Sequence, residues 1–164
     1  MRESLLAWDH ALSARLTIRR TGFLRRSAQI IAHTGDGIVW IAAGLVLIML
    51  DRLDLALREE LTVFTLIVVV AAIKFLFRRR RPTGERGTLY FQMDAHSFPS
   101  GHAARTAALA VTFGALNPAL GFGLAVWAML VSLARVALGI HYLLDVAAGT
   151  IVGIGVGAII ATVL

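Results

Sequence analysis

Residues 61–82 read LTVFTLIVVVAAIKFLFRRRRP, and this stretch decides the fold. Leu61–Phe77 carries a single charge, Lys74, before four arginines and Pro82 close the run. A helix crossing the hydrocarbon core of a bilayer needs about 20 residues, with roughly 17–25 tolerated. An apolar run of that length ending in a basic collar predicts a transmembrane helix with its arginines at the headgroups.

The same character recurs outward from it, in Ala103–Leu116, Leu120–Leu138 and Val146–Leu164. The 164 residues are 58% hydrophobic and only 16% charged, against about 25% charged in soluble domains. Mean hydropathy is +0.78. Five spans are predicted, at 28–50, 57–78, 100–117, 119–138 and 141–163. Residues 1–26 differ in kind, because Trp8, Leu12, Leu16 and Phe23 recur at helical intervals among six arginines. That pattern predicts an amphipathic helix lying in the membrane interface. Glu3, Asp9 and His10 interrupt any signal-peptide core there. The expectation is one domain over 1–164, an all-α integral membrane bundle of one N-terminal interfacial amphipathic helix plus five transmembrane helices.

The absence of cysteine excludes disulfides and thiolate metal sites. No HExxH, EF-hand or Walker pattern is present, nor a GxGxxG following a strand. The net charge of +6 comes from arginines bordering apolar runs without an aromatic stacking platform. Membrane phosphates, not nucleic acid, are therefore the expected partner.

Short loops force successive spans to alternate direction. The end of span two, the start of span three, the end of span four and the start of span five then share one membrane face. Those four ends carry the unusual polar residues. Lys74 and Arg81, seven apart, fall on one side of a helix if it continues to Pro82, which ends it. Lys74 lies about a turn inside the arginine collar, where a lone ammonium is costly and an anion is its natural partner. Arg78, Arg79 and Arg80 read as a snorkelling collar. Pro99-Ser100-Gly101-His102 opens the next apolar run, so Ser100 can cap a helix whose free amides bind an anion, with Gly101 admitting close approach. His102 stands beside that anion.

The third cluster is Arg135, His141 and Asp145. His141 and Asp145 are four apart, so on one helical face the carboxylate can accept the Nδ1 proton and leave Nε2 as a nucleophile. Arg135, across a bend at Gly139, offers a planar fork to phosphate oxygens. Together the clusters describe a site that holds an anion with three cations and attacks it with a histidine.

Lys74-(six residues)-Arg81-Pro82, Pro99-Ser100-Gly101-His102 and Arg135-(five residues)-His141-(three residues)-Asp145 closely resemble the three signature motifs of the type-2 phosphatidic acid phosphatase superfamily. That superfamily includes membrane lipid-phosphate phosphatases and the vanadium haloperoxidases. One departure is Ala134, where the family often has Ser before the arginine of the third motif. The resemblance implies that His141 attacks phosphorus to form a phosphohistidine, with Asp145 holding its tautomer. It implies that His102 protonates the departing oxygen and then activates water. Lys74, Arg81, Arg135 and the Ser100–Gly101 amides would neutralise charge on the equatorial oxygens. Three fixed cations can do the work of Mg²⁺, so neither metal nor cofactor is expected.

His33, Asp36, His96 and Arg105 are candidates for a substrate entrance. His33-Thr34-Gly35-Asp36-Gly37 interrupts the first span on the active face and reads either as that entrance or as a packed, hydrogen-bonded kink. His96 shares its loop with Asp94, and Arg105 lies one turn after His102. Gly149, Gly153 and Gly157 have a small-xxx-small spacing, which predicts close packing within the bundle or across a homodimer.

The expected activity is hydrolysis of a phosphomonoester or diphosphate headgroup of a membrane lipid. Polyprenyl phosphates or diphosphates, phosphatidylglycerophosphate, phosphatidic acid and lipid A phosphates all satisfy it, with a lean toward polyprenyl-linked substrates. Fourteen of the sixteen basic residues fall on or near the active face, and only Arg52 and Arg58 lie opposite. The positive-inside rule then places the site on the cytoplasmic side of the cell membrane, which labelling of a Thr88→Cys variant would report. The rival readings are a non-enzymatic lipid-phosphate binding or transport protein and a vanadium-dependent haloperoxidase.

Overall fold

A computed structural model of the chain describes residues 2–82 and 96–164; Thr88 and Asp94 lie outside them. The described residues form seven helices and no strand. These are α1 (Arg2–Leu16), α2 (Phe23–His33), α3 (Gly37–Met49), α4 (Leu53–Phe77), α5 (Gly101–Gly114), α6 (Pro118–Ala137) and α7 (Leu143–Val163). Three of them, α4, α6 and α7, are long and apolar enough to cross a membrane. The pair α2 and α3 passes the same test together but is bent by 52°. The expected class, all-helical and of membrane type, holds.

The helix at the centre departs from the expected span over 100–117. With 14 residues, α5 is about 21 Å long at 1.5 Å per residue, short of a hydrocarbon core about 30 Å thick. It is nevertheless the most deeply packed helix, with Ala103, Ala104, Ala108 and Leu109 fully buried. Helix α7 lies directly on it. A Cβ added at Gly153 would come 2.1 Å from the Ala104 carbonyl oxygen, and one at Gly149 would come 2.4 Å from that of Ser100. Gly157 meets Ala108 in the same way. The glycine stripe is thus used inside the bundle, backbone against backbone.

The expected N-terminal helix over 1–26 is instead two helices. The chain breaks at 17–22, where the Ile18 amide donates to the Ala137 carbonyl at 2.8 Å and the Arg25 guanidinium donates to the Ile18 carbonyl. The inward face of α1 is polar, contrary to an apolar face alone deciding its placement. Asp9 and Ser13 are buried while Leu5, Trp8 and Leu16 are exposed. The first amides of a helix have no partner within it, and α1 supplies acceptors to those of α7. Leu143 N–H donates to Ser13 Oγ at 3.0 Å and Leu144 N–H to Asp9 Oδ1 at 3.1 Å.

Helix α4 stops earlier than its proline suggests. Arg78 adopts a left-handed conformation (φ 46°) as its C-cap, four residues before Pro82. Residues 79–80 then run antiparallel to 96–97. The Ser97 amide donates to the Arg79 carbonyl at 2.8 Å, and Arg80 and His96 form an isolated bridge.

Candidate active site

Alternating helix direction brings the ends of α4 and α6 and the starts of α5 and α7 together. Ser100 caps α5, its Oγ accepting the Ala103 amide at 3.5 Å. Its own amide donates to the Asp145 carbonyl at 2.9 Å, tying the starts of α5 and α7 together. Gly101 is the first residue of α5 and meets only Val70 Cγ1, at 3.6 Å, where a Cβ would stand. After α6 the chain turns through Gly139 (φ 71°), and the Arg135 carbonyl accepts the Ile140 and His141 amides at 3.1 and 3.3 Å. Arg135, Lys74, His102, His141 and Asp145 are all buried at this end.

Arg81 reaches the cluster by a route the sequence did not indicate. Because α4 ends at Phe77, Arg81 does not share a helical face with Lys74. It arrives from the extended segment, with Nη1 3.3 Å from His141 Nε2 and 3.4 Å from the Ile140 carbonyl oxygen. A guanidinium only donates, so at this contact Nε2 is the acceptor and the ring proton sits on Nδ1. That tautomer presents the Nε2 lone pair toward the cations. His141 precedes α7, and burial followed by the charges of Arg135, Arg81, Lys74 and His102 holds its imidazole well below its ordinary pKa. The ring is neutral at physiological pH.

Asp145 corrects the expected pairing. It was expected to take the Nδ1 proton of His141 from one helical face, but His141 lies outside the helix and the two are 3.6 Å apart. That is beyond hydrogen-bond length, and Nδ1 has no hydrogen-bond partner among the described residues. The Asp145 carboxylate instead accepts the Tyr142 amide at 2.9 Å and Arg79 Nη1 at 2.8 Å. Lys74 likewise has a protein partner, donating to the His96 carbonyl at 3.0 Å.

The four entrance candidates divide. Asp36 Oδ1 lies 2.6 Å from His102 Nε2, and its Oδ2 lies 2.8 Å from His33 Nδ1. Of the two readings for this segment, the hydrogen-bonded kink is the one observed, and it grips His102. His33 is exposed. Arg105, expected at an entrance or a lipid head, is buried and donates to the Gly35 carbonyl at 2.7 Å. Gly35 is required there, since a Cβ would come 2.8 Å from Val131 and 3.1 Å from His102. His96 contributes its carbonyl to Lys74.

Sequence reasoning missed a second layer. Arg79, read as collar, bridges Asp145 and Asp9 at 2.8 and 2.6 Å and stacks over the Tyr142 ring at 4.2 Å. His10 stacks on the same ring at 4.4 Å. The available signal was Asp9 and Ser13 at i,i+4, one polar face in a segment read by its apolar residues. No group of three or more metal-ligating side chains occurs among the described residues.

The sequence model described as "PAP2 superfamily" matches residues 59–164. Decaprenylphosphoryl-5-phosphoribose phosphatase from two strains of Mycobacterium tuberculosis is 38% identical over 101 residues, covering 58% of this chain and 53% of the relative. The chain thus spans about half the length of the curated relatives it matches. Among solved structures, a transmembrane PAP2-type phosphatidylglycerolphosphate phosphatase from Bacillus subtilis superposes with a TM-score of 0.81 at 21% identity, over 98% of this chain and 86% of its own. LpxE from Aquifex aeolicus gives 0.76 at 24%, over 93% of each. The two structures share the fold, and the family match takes in the ends of α4 and α6 and the starts of α5 and α7, which meet at His141. With its buried histidines and cations carried on that shared framework, the chain belongs to the PAP2 superfamily.

Proposed function

We propose that this chain is a membrane phosphatase that hydrolyses a lipid phosphate through a phosphohistidine. The observation that carries the reading is the Arg81–His141 contact, which leaves an Nε2 lone pair facing a cluster of buried cations at one end of an apolar bundle. Family membership and the phosphatase names of its relatives support it.

In the first step a phosphoryl group enters between Arg81 and His141. Nε2 attacks phosphorus, the bond from phosphorus to the leaving oxygen breaks, and His102 gives that oxygen its proton. In the second, water attacks the phosphohistidine while His102 takes a proton from it. The P–N bond breaks, phosphate leaves and His141 is neutral again. Lys74, Arg81, Arg135 and the first amides of α5 hold the equatorial oxygens. Asp145, near Nδ1, offsets the positive charge on the ring, and the 3.6 Å separation shortens as the complex tightens. Asp36 orients His102 by holding its Nε2–H, so the ring enters the first step doubly protonated and the proton given to the leaving oxygen, then taken back from water, is carried on Nδ1. With cations in these places the reaction needs no metal.

The polyprenyl-linked name of the Mycobacterium relative supports a polyprenyl phosphate, and phospholipid monoesters fit the same chemistry. We read the topology as one surface helix and five membrane passages, α2 with α3 counting as one and α5 entering sheathed by its neighbours. By charge bias the site faces the cytoplasm, and the chain works as a single domain.

Phosphate release by the detergent-purified protein in EDTA, from polyprenyl and phospholipid monophosphates, tests the reading beside His141→Ala. Release that survives EDTA and disappears in the variant is expected. A folded wild-type protein that releases nothing overturns the activity, and rescue only by Mg²⁺ overturns the metal-free mechanism. Labelling of an Arg20→Cys variant by an impermeant maleimide in intact cells would overturn the cytoplasmic placement.

A further inference from the structure

A cavity of about 850 Å³ opens beside His141 and Arg81. A water molecule occupies about 30 Å³ of liquid, so a phosphoryl group alone fills a small part of it. The volume falls instead in the range of about 300–1,000 Å³ that small-molecule sites occupy. The remaining wall comes from Ser13, Thr17, Arg19, Thr21 and Arg25, at the end of α1, the 17–22 connection and the start of α2. All of these residues precede the family match, which begins at residue 59. The phosphoryl cluster falls within that match and this wall outside it.

The wall is cationic and fixed in place. Arg19, Arg25 and Arg81 line the cavity together with His10 and His141, and no carboxylate does among the described residues. Arg25 is held to the Ile18 carbonyl, and the Ile18 amide in turn to the Ala137 carbonyl at 2.8 Å, so the connection is pinned to the end of α6. Arg19 is exposed along this wall. Guanidinium groups match phosphate oxygens in a planar, bidentate fork.

We propose that Arg19 and Arg25 form a second anion subsite, which takes a phosphodiester of the substrate while the scissile monoester sits at Arg81 and His141. The inference rests on the phosphatase reading and names its substrate class: a lipid phosphomonoester joined through a small polar spacer to a second phosphate. Thr17, Thr21 and Ser13 offer hydroxyls to that spacer. On the far side of His10 and Tyr142, a largely apolar hollow of about 490 Å³ lined by Leu5, Leu6, Phe77, Phe98 and Leu144 lies one side chain away, where the apolar chain can rest.

The test compares phosphatidylglycerophosphate, which has the second phosphate, with phosphatidic acid, which lacks it, at matched acyl chains in mixed micelles. Arg19→Gln is expected to raise KM for the former about tenfold, the loss of roughly one charge-assisted contact, and to leave phosphatidic acid turnover unchanged. Arg25→Lys keeps the charge beside Ile18 but loses the fork, and is expected to act in the same selective direction. Equal loss on both lipids, reversed by adding anionic lipid to the micelle, would assign the arginines to bulk headgroups and overturn the subsite. No change on either lipid would overturn it as well. A wild-type protein inert on both would overturn the phosphatase reading and the subsite with it, so the two failures are distinguishable.

Discussion

Asp36 grips His102 from outside the motif that contains it, with Oδ1 2.6 Å from Nε2 and Oδ2 held by His33 Nδ1 at 2.8 Å. The carboxylate sits in the break between α2 and α3, and the bend at that break brings it onto α5.

Asp36→Asn is expected to lower kcat on a lipid phosphate about 10–100-fold, part of the 10²–10⁴ that a positioned acid supplies. On p-nitrophenyl phosphate, whose leaving group needs little protonation, the loss shrinks to a few-fold. Steady-state kinetics on both substrates checks this. Equal losses would mean that Asp36 serves only the fold.

Asp9 joins α1 to the end of the bundle that carries the candidate site, through Arg79 and the Leu144 amide. Removing one partner of a buried ion pair strands the other, at a cost of about 3–5 kcal/mol. Asp9→Ala should therefore lower the melting temperature in detergent by several degrees and reduce activity, because His141 sits just before the α7 end that Asp9 holds. An unchanged melting curve would remove α1 from the support of the site.

The pH profile follows from His141. Its native pKa lies well below the ordinary 6.5, so the imidazole proposed as nucleophile stays neutral as the solution is acidified through that value. The acid limb of kcat/KM attributable to His141 should fall below pH 6.5. Stability has the matching sign. Below 6.5 the unfolded ring binds a proton that the native ring does not. This group's contribution is therefore full above 6.5 and is lost as pH falls. A kcat/KM limb centred at or above 6.5 would contradict the assignment.

Gly153 and Gly155 make a paired test of α7. A Cβ at 153 meets the Ala104 carbonyl at 2.1 Å, whereas one at 155 meets nothing within 4 Å. Gly153→Ala should destabilise by about 1–3 kcal/mol through overpacking. Gly155→Ala should be neutral or stabilise by up to about 1 kcal/mol through helix propensity. Thermal unfolding of the two variants decides it.

Glu59 in α4 is buried with neither carboxyl oxygen hydrogen-bonded among the described residues. An unsatisfied buried polar group costs about 1–3 kcal/mol. Glu59→Met should raise the melting temperature and leave kcat alone. A loss of stability would show that the carboxyl has a favourable partner after all.

Composition and spacing determined the class of this protein and the identity of its polar cluster. Apolar runs can be counted, and Lys74, His102, Arg135 and His141 stand out because charge inside such runs is costly. Alternating helix direction then places their ends on one face of the bundle. What side chains do once there was decided in three dimensions. The sequence could not indicate that α4 would stop at Phe77, because the chain leaving the left-handed turn at Arg78 pairs through the Arg79 carbonyl with Ser97, eighteen residues beyond Arg79. Nor could it reveal that Asp145 holds Arg79 and Tyr142 more closely than His141, since its i,i+4 spacing has that meaning only inside a helix. The roles of Asp9, Asp36 and Arg79 were likewise hidden. Each acts across 66 to 70 positions of sequence, and a periodicity that reports local helical faces carries no information about which faces meet.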